Sequence, residues 1–381
     1  MSTTTEVDSS LEGTSRELAR EVLIHGPISR AELGRRLGLS PASLTRLSKP
    51  FLDRGLFVDG PESTERSVGR PAKPLDVRVD AQRYVGIKIT GEEALGVATN
   101  LRADPLGSVT VALASHSVDD VMSAIRQVVE LLGGPADLSG VGISIGGKVT
   151  ESRVVARAPF LGWRDVDLGG RVSADLGLPV TVENDVVALV AAEHWFGVAK
   201  GIENFALITT GAGVGYGLVI HDRSVVTSDT GLGLGGHFPL DPTGPLCIDG
   251  HRGCSTAMLS IPSMCASART GLGRDVTYAE LLQLAVDGNP VATAVVDSAA
   301  RALGRMIAAT TNLTMVDTVV LSGEGIALAE VARDAIEAAV ATDRDPDAAP
   351  VRLLVDNSGF SAWARGAAAS AIQASFGLVR V

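Results

Sequence analysis

Apolar and polar positions recur along this chain with two different periods, and the change of period divides it. Between residues 14 and 48 the period is helical. Thr14 and Glu17 stand at capping-box spacing, and Leu18, Ala19, Val22 and Leu23 line one stripe that Gly26-Pro27 stops. Ser29 and Glu32 repeat the capping box ahead of Leu33 and Leu37, and Gly38 suits a left-handed C-terminal stop. Ser40-Pro41 is an N-cap followed by proline at the first helical position, and it opens a third helix with Leu44 and Leu47 inward. Pro50 predicts a kink or break, with Ser48 capping a short turn beyond it, because a helix-interior proline costs ~3 kcal/mol. Leu56-Phe57-Val58 and Leu75, Val77, Val79 then alternate as two strands around a polar loop that contains Gly69-Arg70-Pro71.

Beyond residue 80 short apolar strands alternate with helical stripes. Val85, Ile87 and Ile89 form one strand and residues 94–99 a second, and Val121, Ile125, Val128, Val129 and Leu132 keep helical spacing. Residues 141–147 are a strand ending in glycines; residues 180–182 run into Glu183-Asn184-Asp185 and a helix over 186–196. Residues 205–209 lead into a glycine-rich turn over 210–217, and residues 316–321 into Ser322-Gly323-Glu324-Gly325. This alternation predicts α/β layers, and glycine-rich turns at strand ends are where such folds bind ligands. The expected organisation is a disordered tail over 1–13, a winged helix-turn-helix over 14–80 and a two-lobed α/β body over 81–381. Lobe one takes about 81–190 plus the C-terminal helix, and lobe two about 191–360.

Composition bounds the function. A chain of 381 residues, 45% hydrophobic, can hold two or three cored domains. No apolar run reaches a membrane span, the N-terminus has no secretory pattern, and three cysteines make no disulfide framework, so the cytosol is the expected compartment and no membrane partner is expected. The formal net charge is −11, yet residues 30–78 hold ten Lys and Arg against six acids, a net of +4 on an acidic body. On the outward face of the third helix stand Ser43, Thr45, Arg46 and Lys49. Short polar groups and Arg at that place reach base edges and phosphates in a major groove. Arg46 is the expected base contact, Ser43 and Thr45 reach bases or phosphate, and Lys49 meets phosphate. Arg70, held between Gly and Pro, suits a narrow minor groove. The same helices alone would equally serve dimerisation.

His237 precedes Cys247-Ile248-Asp249-Gly250-His251-Arg252-Gly253-Cys254. Thiolate and imidazole are ligands that zinc prefers, and a structural site needs a fourth, which Asp249 or His251 would supply.

These motifs resemble the ROK family (repressors, open reading frames and kinases), in its repressor branch, from about residue 14 to 376. The most specific are Glu183-Asn184-Asp185, the glycine-rich 210–217 stretch, and Gly236-His237 with the 247–254 loop. The resemblance implies a winged-helix head on an actin-like, sugar-kinase-like body of two lobes with the ligand between them. Family kinases carry Asp-x-Gly-Gly-Thr in the first hairpin. Here Lys88 takes the Asp position and Glu92 the Thr position, so ATP use is not expected, no catalytic residue is assigned, and Asp185 is a vestigial base. Asn184, Asp185 and His237 match the effector-binding positions, whereas Phe160, Leu234 and Thr256 replace family sugar contacts. The zinc motif matches at His237, Cys247 and Cys254, with Asp249 where the family has its middle Cys. The reading is a DNA-binding transcriptional repressor that binds double-stranded operator DNA as a homodimer or homotetramer under a sugar or related small-molecule effector. The rivals are an ATP-dependent sugar kinase, favoured by Asp185 and 211–217, and a regulator that acts without effector.

Overall fold

The computed structural model of the chain describes residues 3–60 and 73–377. Helix α1 spans Thr3–His25, α2 Arg30–Leu37 and α3 Pro41–Asp53. The Thr-x-x-Glu spacing occurs at Thr3 as well as at Thr14, and the backbone turns helical at the first, so the tail expected over 1–13 is helix from residue 3. Ser29 caps α2 by accepting from Glu32 N, and Gly38 ends it at φ 63°. Ser40 caps α3 in the same way, accepting from Ser43 N. The break expected at Pro50 does not occur. Proline lies in the last turn of α3, where few hydrogen bonds remain to be lost, and Ser48 is buried with its hydroxyl donating to Thr45 O instead of capping a new turn. Strands β1 (Phe57–Asp59) and β2 (Leu75–Val77) pair antiparallel.

The chain divides into two compact units, Met1–Phe196 with Trp363–Val381, and Gly197–Ala362. In the first, β3 (Tyr84–Ile89), β4 (Glu93–Thr99), β5 (Pro105–Ala112), α4 (Val118–Leu131) and β6 (Gly140–Ile145) come in order. A small antiparallel sheet follows, β7 (Lys148–Thr150), β8 (Val154–Ala158) and β9 (Trp163–Val166). Then come α5 (Leu168–Leu176), β10 (Val180–Asn184) and α6 (Asp185–Phe196). The main sheet runs β10-β6-β3-β4-β5, with β3 parallel to β6 and antiparallel to β4.

The second unit is built to the same plan. It holds β11 (Phe205–Thr210), β12 (Val214–Ile220), β13 (Arg223–Ser224), α7 (Ser255–Leu259), α8 (Ile261–Leu272), α9 (Tyr278–Val286) and α10 (Pro290–Thr314). It continues with β14 (Thr318–Ser322), α11 (Ala327–Val331), α12 (Arg333–Thr342) and β15 (Arg352–Val355). Its sheet runs β13-β12-β11-β14-β15, again with a central strand antiparallel to its hairpin partner and parallel to the later strand. The core of this unit gathers Ile208, Leu259, Ile307 and Val319, and α10 is its longest buried element.

Helix α13 (Ser361–Ser375) returns to the first unit. Gly86 and Gly142 on β3 and β6 sit under the backbone of Ala364, Ala367 and Ala368, so close that a methyl group at either position would collide. The other end of α13 and the end of α6 complete a core with the N-terminal helices. Leu18, Val22, Leu44 and Phe57 share it with Tyr84, Leu101, Trp195, Ile372 and Phe376. Phe51 stacks on Phe57 at 4.7 Å and on Phe376 at 6.2 Å between centroids. Arg102 Nη2 donates to Gly26 O at 2.6 Å and to Asp76 Oδ1 at 2.5 Å, pinning the β4–β5 connection to the head. The lobe boundary expected near 190 falls after Phe196 because α6 keeps its buried face in this core to its end. Among the described residues no helix is long and apolar enough to cross a membrane.

Candidate functional site

Three groups of residues carry chemistry. The first is the exposed face of α3. Arg46 is exposed and makes no ion pair among the described residues. Thr45 is exposed, its Oγ1 donating to Pro41 O at 3.0 Å, and the Ser43 hydroxyl lies 3.0 Å from that of Ser40. Lys49 Nζ is 2.9 Å from Asp53 Oδ2, an exposed i,i+4 pair of only ~0.3–0.5 kcal/mol that a phosphate can outbid. Arg70 lies outside the described residues.

The second group sits at the C-terminal ends of β3, β6 and β10. Asn184 Nδ2 donates to Gly147 O at 2.8 Å, while its Oδ1 accepts from Val186 N at 3.0 Å, turning β10 into α6. Lys88 Nζ donates to Asp185 Oδ2 at 2.5 Å and lies 5.1 Å from the Trp363 ring centroid. The Lys88 side chain is 9% exposed and that of Asp185 18%. Asn184 Nδ2 and Val186 N donate to Asp185 Oδ1, so together with Lys88 three donors already hold the carboxylate that a kinase would need for a substrate hydroxyl. Phe160 is exposed, and its ring and the Asp185 carboxylate flank Gly146. Glu183 faces the other way: its carboxylate accepts from the Ser152 hydroxyl, and burial pushes its pKa up.

The third group is in the second unit. His237 Nδ1 is 3.6 Å from Cys254 Sγ and 3.8 Å from Cys247 Sγ, and His251 Nδ1 is 3.7 Å from Cys247 Sγ. All four ligand atoms lie within 4.8 Å of one another. A tetrahedron built on zinc–sulfur and zinc–nitrogen bonds of about 2.3 and 2.0 Å has S···N edges of about 3.6 Å, so two thiols and two imidazoles stand at the spacing that such an ion requires. Burial pushes the Cys254 thiol pKa up, a cost that a bound cation reverses by holding the thiolate. Asp249, expected as the fourth ligand, is not in the cluster. Its Oδ2 lies 3.2 Å from His237 Nε2, the ring nitrogen that faces away from the thiols. Gly250 turns at φ 82°, and the residue gathered with the cysteines is His251.

The glycine-rich turns of this unit also meet. Gly325 N donates to Thr210 O at 2.8 Å, and the Glu324 carboxylate lies against Gly211. An acid on that glycine repels the phosphates that such a loop otherwise cradles. Leu234 is exposed, and Thr256 Oγ1 donates to Gly236 O at 2.6 Å. The pairing of Lys88 with Asp185 escaped sequence reasoning, and of the two fourth ligands the spacing allowed, Asp249 and His251, the structure gathers His251. The Lys88–Asp185 pairing had no local signal, since the two residues are 97 positions apart.

Comparison with known proteins agrees with the geometry. Residues 84–374 match the ROK family. The chain is 26% identical over 304 residues to the DNA-binding transcriptional repressor Mlc of Escherichia coli (strain K12), covering 76% of this chain and 75% of that protein. Its fold superposes on a ROK family transcriptional regulator, a homolog of the E. coli MLC protein, with TM-score 0.80 at 24% identity, over 96% of this chain and 98% of the other. It also superposes on a ROK family glucokinase from Streptomyces griseus in complex with glucose and AMPPNP, with TM-score 0.66 at 26% identity, over 76% of this chain and 99% of that one. The body is therefore sugar-kinase-like, and with most of its length inside the family match, the chain belongs to the ROK family.

Proposed function

We propose that this protein is a DNA-binding transcriptional regulator, a repressor, that reads a palindromic operator through a winged helix-turn-helix over residues 14–80. One observation carries the reading. The glucokinase is matched over 99% of itself yet leaves about a quarter of this chain unpaired, whereas the regulator pairs with 96% of it. The family match begins only at residue 84, so the surplus is the segment of α1–α3 and the β1–β2 pair. In it α3 is the recognition helix. Arg46 reads a base, Ser43 and Thr45 reach bases or phosphate, Lys49 leaves Asp53 for a phosphate, and Arg70 enters the minor groove. Two-fold pairing of chains matches two half-sites. The compartment is the cytoplasm.

The effector in this reading is a sugar-sized molecule at Asn184 and Asp185. The kinase alternative has Asp185 in its favour, but Lys88 holds that carboxylate and Glu324 lies on Gly211. The cluster of His237, Cys247, His251 and Cys254 holds one structural zinc, which would tie the 247–254 loop to the 3₁₀ turn at Leu234–His237. Asp249 orients His237 from behind, the usual place of a carboxylate beside a metal-bound imidazole.

The test is selection of bound sequences from a random double-stranded DNA pool, with the intact protein and an Arg46→Ala control. A palindromic motif that the control loses is the expected result. No enrichment by a protein that melts cooperatively would refute the reading.

A further inference from the structure

The small sheet of the first unit carries an arrangement that folding alone disfavours. Across it, Lys148 on β7 pairs with Arg157 on β8, and Arg157 pairs with Arg164 on β9. Residues directly opposite in an antiparallel pair bring their Cβ atoms within ~4.5–5.5 Å, and like charges at that spacing destabilise the sheet. Arg157 and Arg164 are such a pair, and Lys148 extends the row across a register shift between Lys148 and Val149. Arg157 and Arg164 are exposed and Lys148 is half-buried. None of the three makes an ion pair among the described residues, although carboxylates are near: Asp167 is taken by Arg153 at 2.5 Å, and Asp165 follows Arg164 on the alternate strand position. A row of unneutralised like charges is a cost that an anion repays.

Its place in the fold says what size of anion. Lys148 directly follows Gly147, whose carbonyl accepts from Asn184 Nδ2 at 2.8 Å. The backbone of Gly147 runs so close to that of Arg157 that a Cβ at residue 147 would collide with the Arg157 carbonyl. The row thus borders the Asn184–Asp185 group, at the end of β3 and β6 remote from Tyr84 and the α1–α3 core. DNA held by α3 is at the opposite end of these strands, so the occupant is a small ligand and not the operator.

We propose that Lys148, Arg157 and Arg164 form an oxyanion-binding subsite, so that the effector is a polyhydroxylated molecule bearing a phosphate or carboxylate. This inference rests on the effector reading above. Asn184 and Asp185 meet hydroxyl groups, the exposed Phe160 ring offers an apolar face, and the guanidinium forks of Arg157 and Arg164 match the planar or tetrahedral oxyanion.

Inorganic phosphate is the direct probe. Titrated into the full chain, it raises the melting temperature by mass action, and calorimetry gives its affinity. Arg157→Gln/Arg164→Gln weakens phosphate binding about tenfold or more, the worth of losing a charge-assisted hydrogen bond. Arg171→Gln, a surface control outside the row, leaves it unchanged. Without phosphate the double variant is at least as stable as the parent, because it removes a like-charge contact, and this separates lost binding from lost folding. Phosphate that stabilises neither protein, or both equally, overturns the subsite. A neutral hexose, its 6-phosphate and the corresponding hexuronate then identify the source of the anion. A neutral hexose that binds the parent as tightly as its 6-phosphate and the hexuronate do keeps the effector reading and refutes this one. Phosphate binding lost in the double variant, with no sugar altering DNA affinity, keeps the subsite and refutes the effector reading.

Discussion

Replacing Lys88 by Met should destabilise the first unit strongly, and replacing its partner as well should undo most of the damage. Lys88 and Asp185 meet at 2.5 Å with side chains only 9% and 18% exposed. Met keeps the aliphatic length against Trp363 but leaves the Asp185 carboxylate half-buried with no counter-charge. Stranding one member of a buried pair costs ~3–5 kcal/mol, and the residual exposure of Asp185 places the expected loss near the lower end, about 3 kcal/mol. At ~2–4 °C per kcal/mol for a domain of 150–250 residues, that is a fall of roughly 6–12 °C in melting temperature. Asp185→Asn strands the ammonium and should fall by a similar amount. The double variant Lys88→Met/Asp185→Asn buries no charge and should recover to within about 1 kcal/mol of the parent, which makes the coupling in a double-mutant cycle about 5 kcal/mol. Scanning calorimetry of the four proteins at one pH and salt concentration measures it. Losses that simply add in the double variant would mean the two groups do not interact, and the account of Lys88 as the group that holds Asp185 would fail with them.

Other expectations follow from single contacts. One zinc per chain by elemental analysis should vanish in His251→Ala and persist in Asp249→Asn with ~10–100-fold weaker affinity, since Asp249 touches only the far ring nitrogen of His237; the reverse order would restore Asp249 as the ligand. Arg46→Ala should weaken operator binding by ~1–3 kcal/mol and relax the preference at one base position, read by competition titration. The Asp167 carboxyl, held by Arg153 and by the amide of Gly170, has its pKa lowered to about 2. A lowered folded pKa adds stability above the unfolded value of 3.8, and that stability drains away as pH falls through about 2. The pair is solvent-exposed, so Asp167→Asn should cost only ~0.2–1 kcal/mol at neutral pH, and its deficit should shrink between pH 4 and 2 in urea titrations. The Tyr278 phenol, whose pKa burial raises to about 12, donates to Gly325 O at 2.7 Å; Tyr278→Phe should cost ~1 kcal/mol, visible as a lower melting temperature of the second unit.

The parts of this molecule that could be read from the sequence are those fixed by neighbours in the chain. Ser29, Ser40 and Gly38 act on amides and carbonyls three or four residues away, and α2 and α3 begin and end where they indicate. The buried strands β3, β6 and β11 are apolar at most of their positions, and they stand where those apolar runs do. Strand β5 gives only a short signal because it is an edge: nearly all of Pro105–Ala112 is exposed, apolar alternation is confined to Val109 and Val111, and pairing with β4 makes the rest a strand. Pro50 misled because the penalty of a proline depends on how many hydrogen bonds lie beyond it, which the sequence does not state. At the site, Lys88 could be seen to replace an acid, but its partner is 97 positions away, and only the ends of β3 and β10, on either side of β6, bring them together. The row of Lys148, Arg157 and Arg164 has no sequence period for the same reason, since strand register creates it.

The core that α1–α3 share with Ile372 and Phe376 sets the order in which this protein can become competent during synthesis. Leu18 and Phe57 leave the ribosome hundreds of residues before the segment that covers them, and Phe51 waits just as long for the ring it stacks on. A chain that stalls in the second unit carries Ser43, Thr45 and Arg46 of the proposed recognition helix on helices with an open flank. Aborted translation products would then be poor competitors for the operator, because the last part of the body to be made is also the floor on which the head stands.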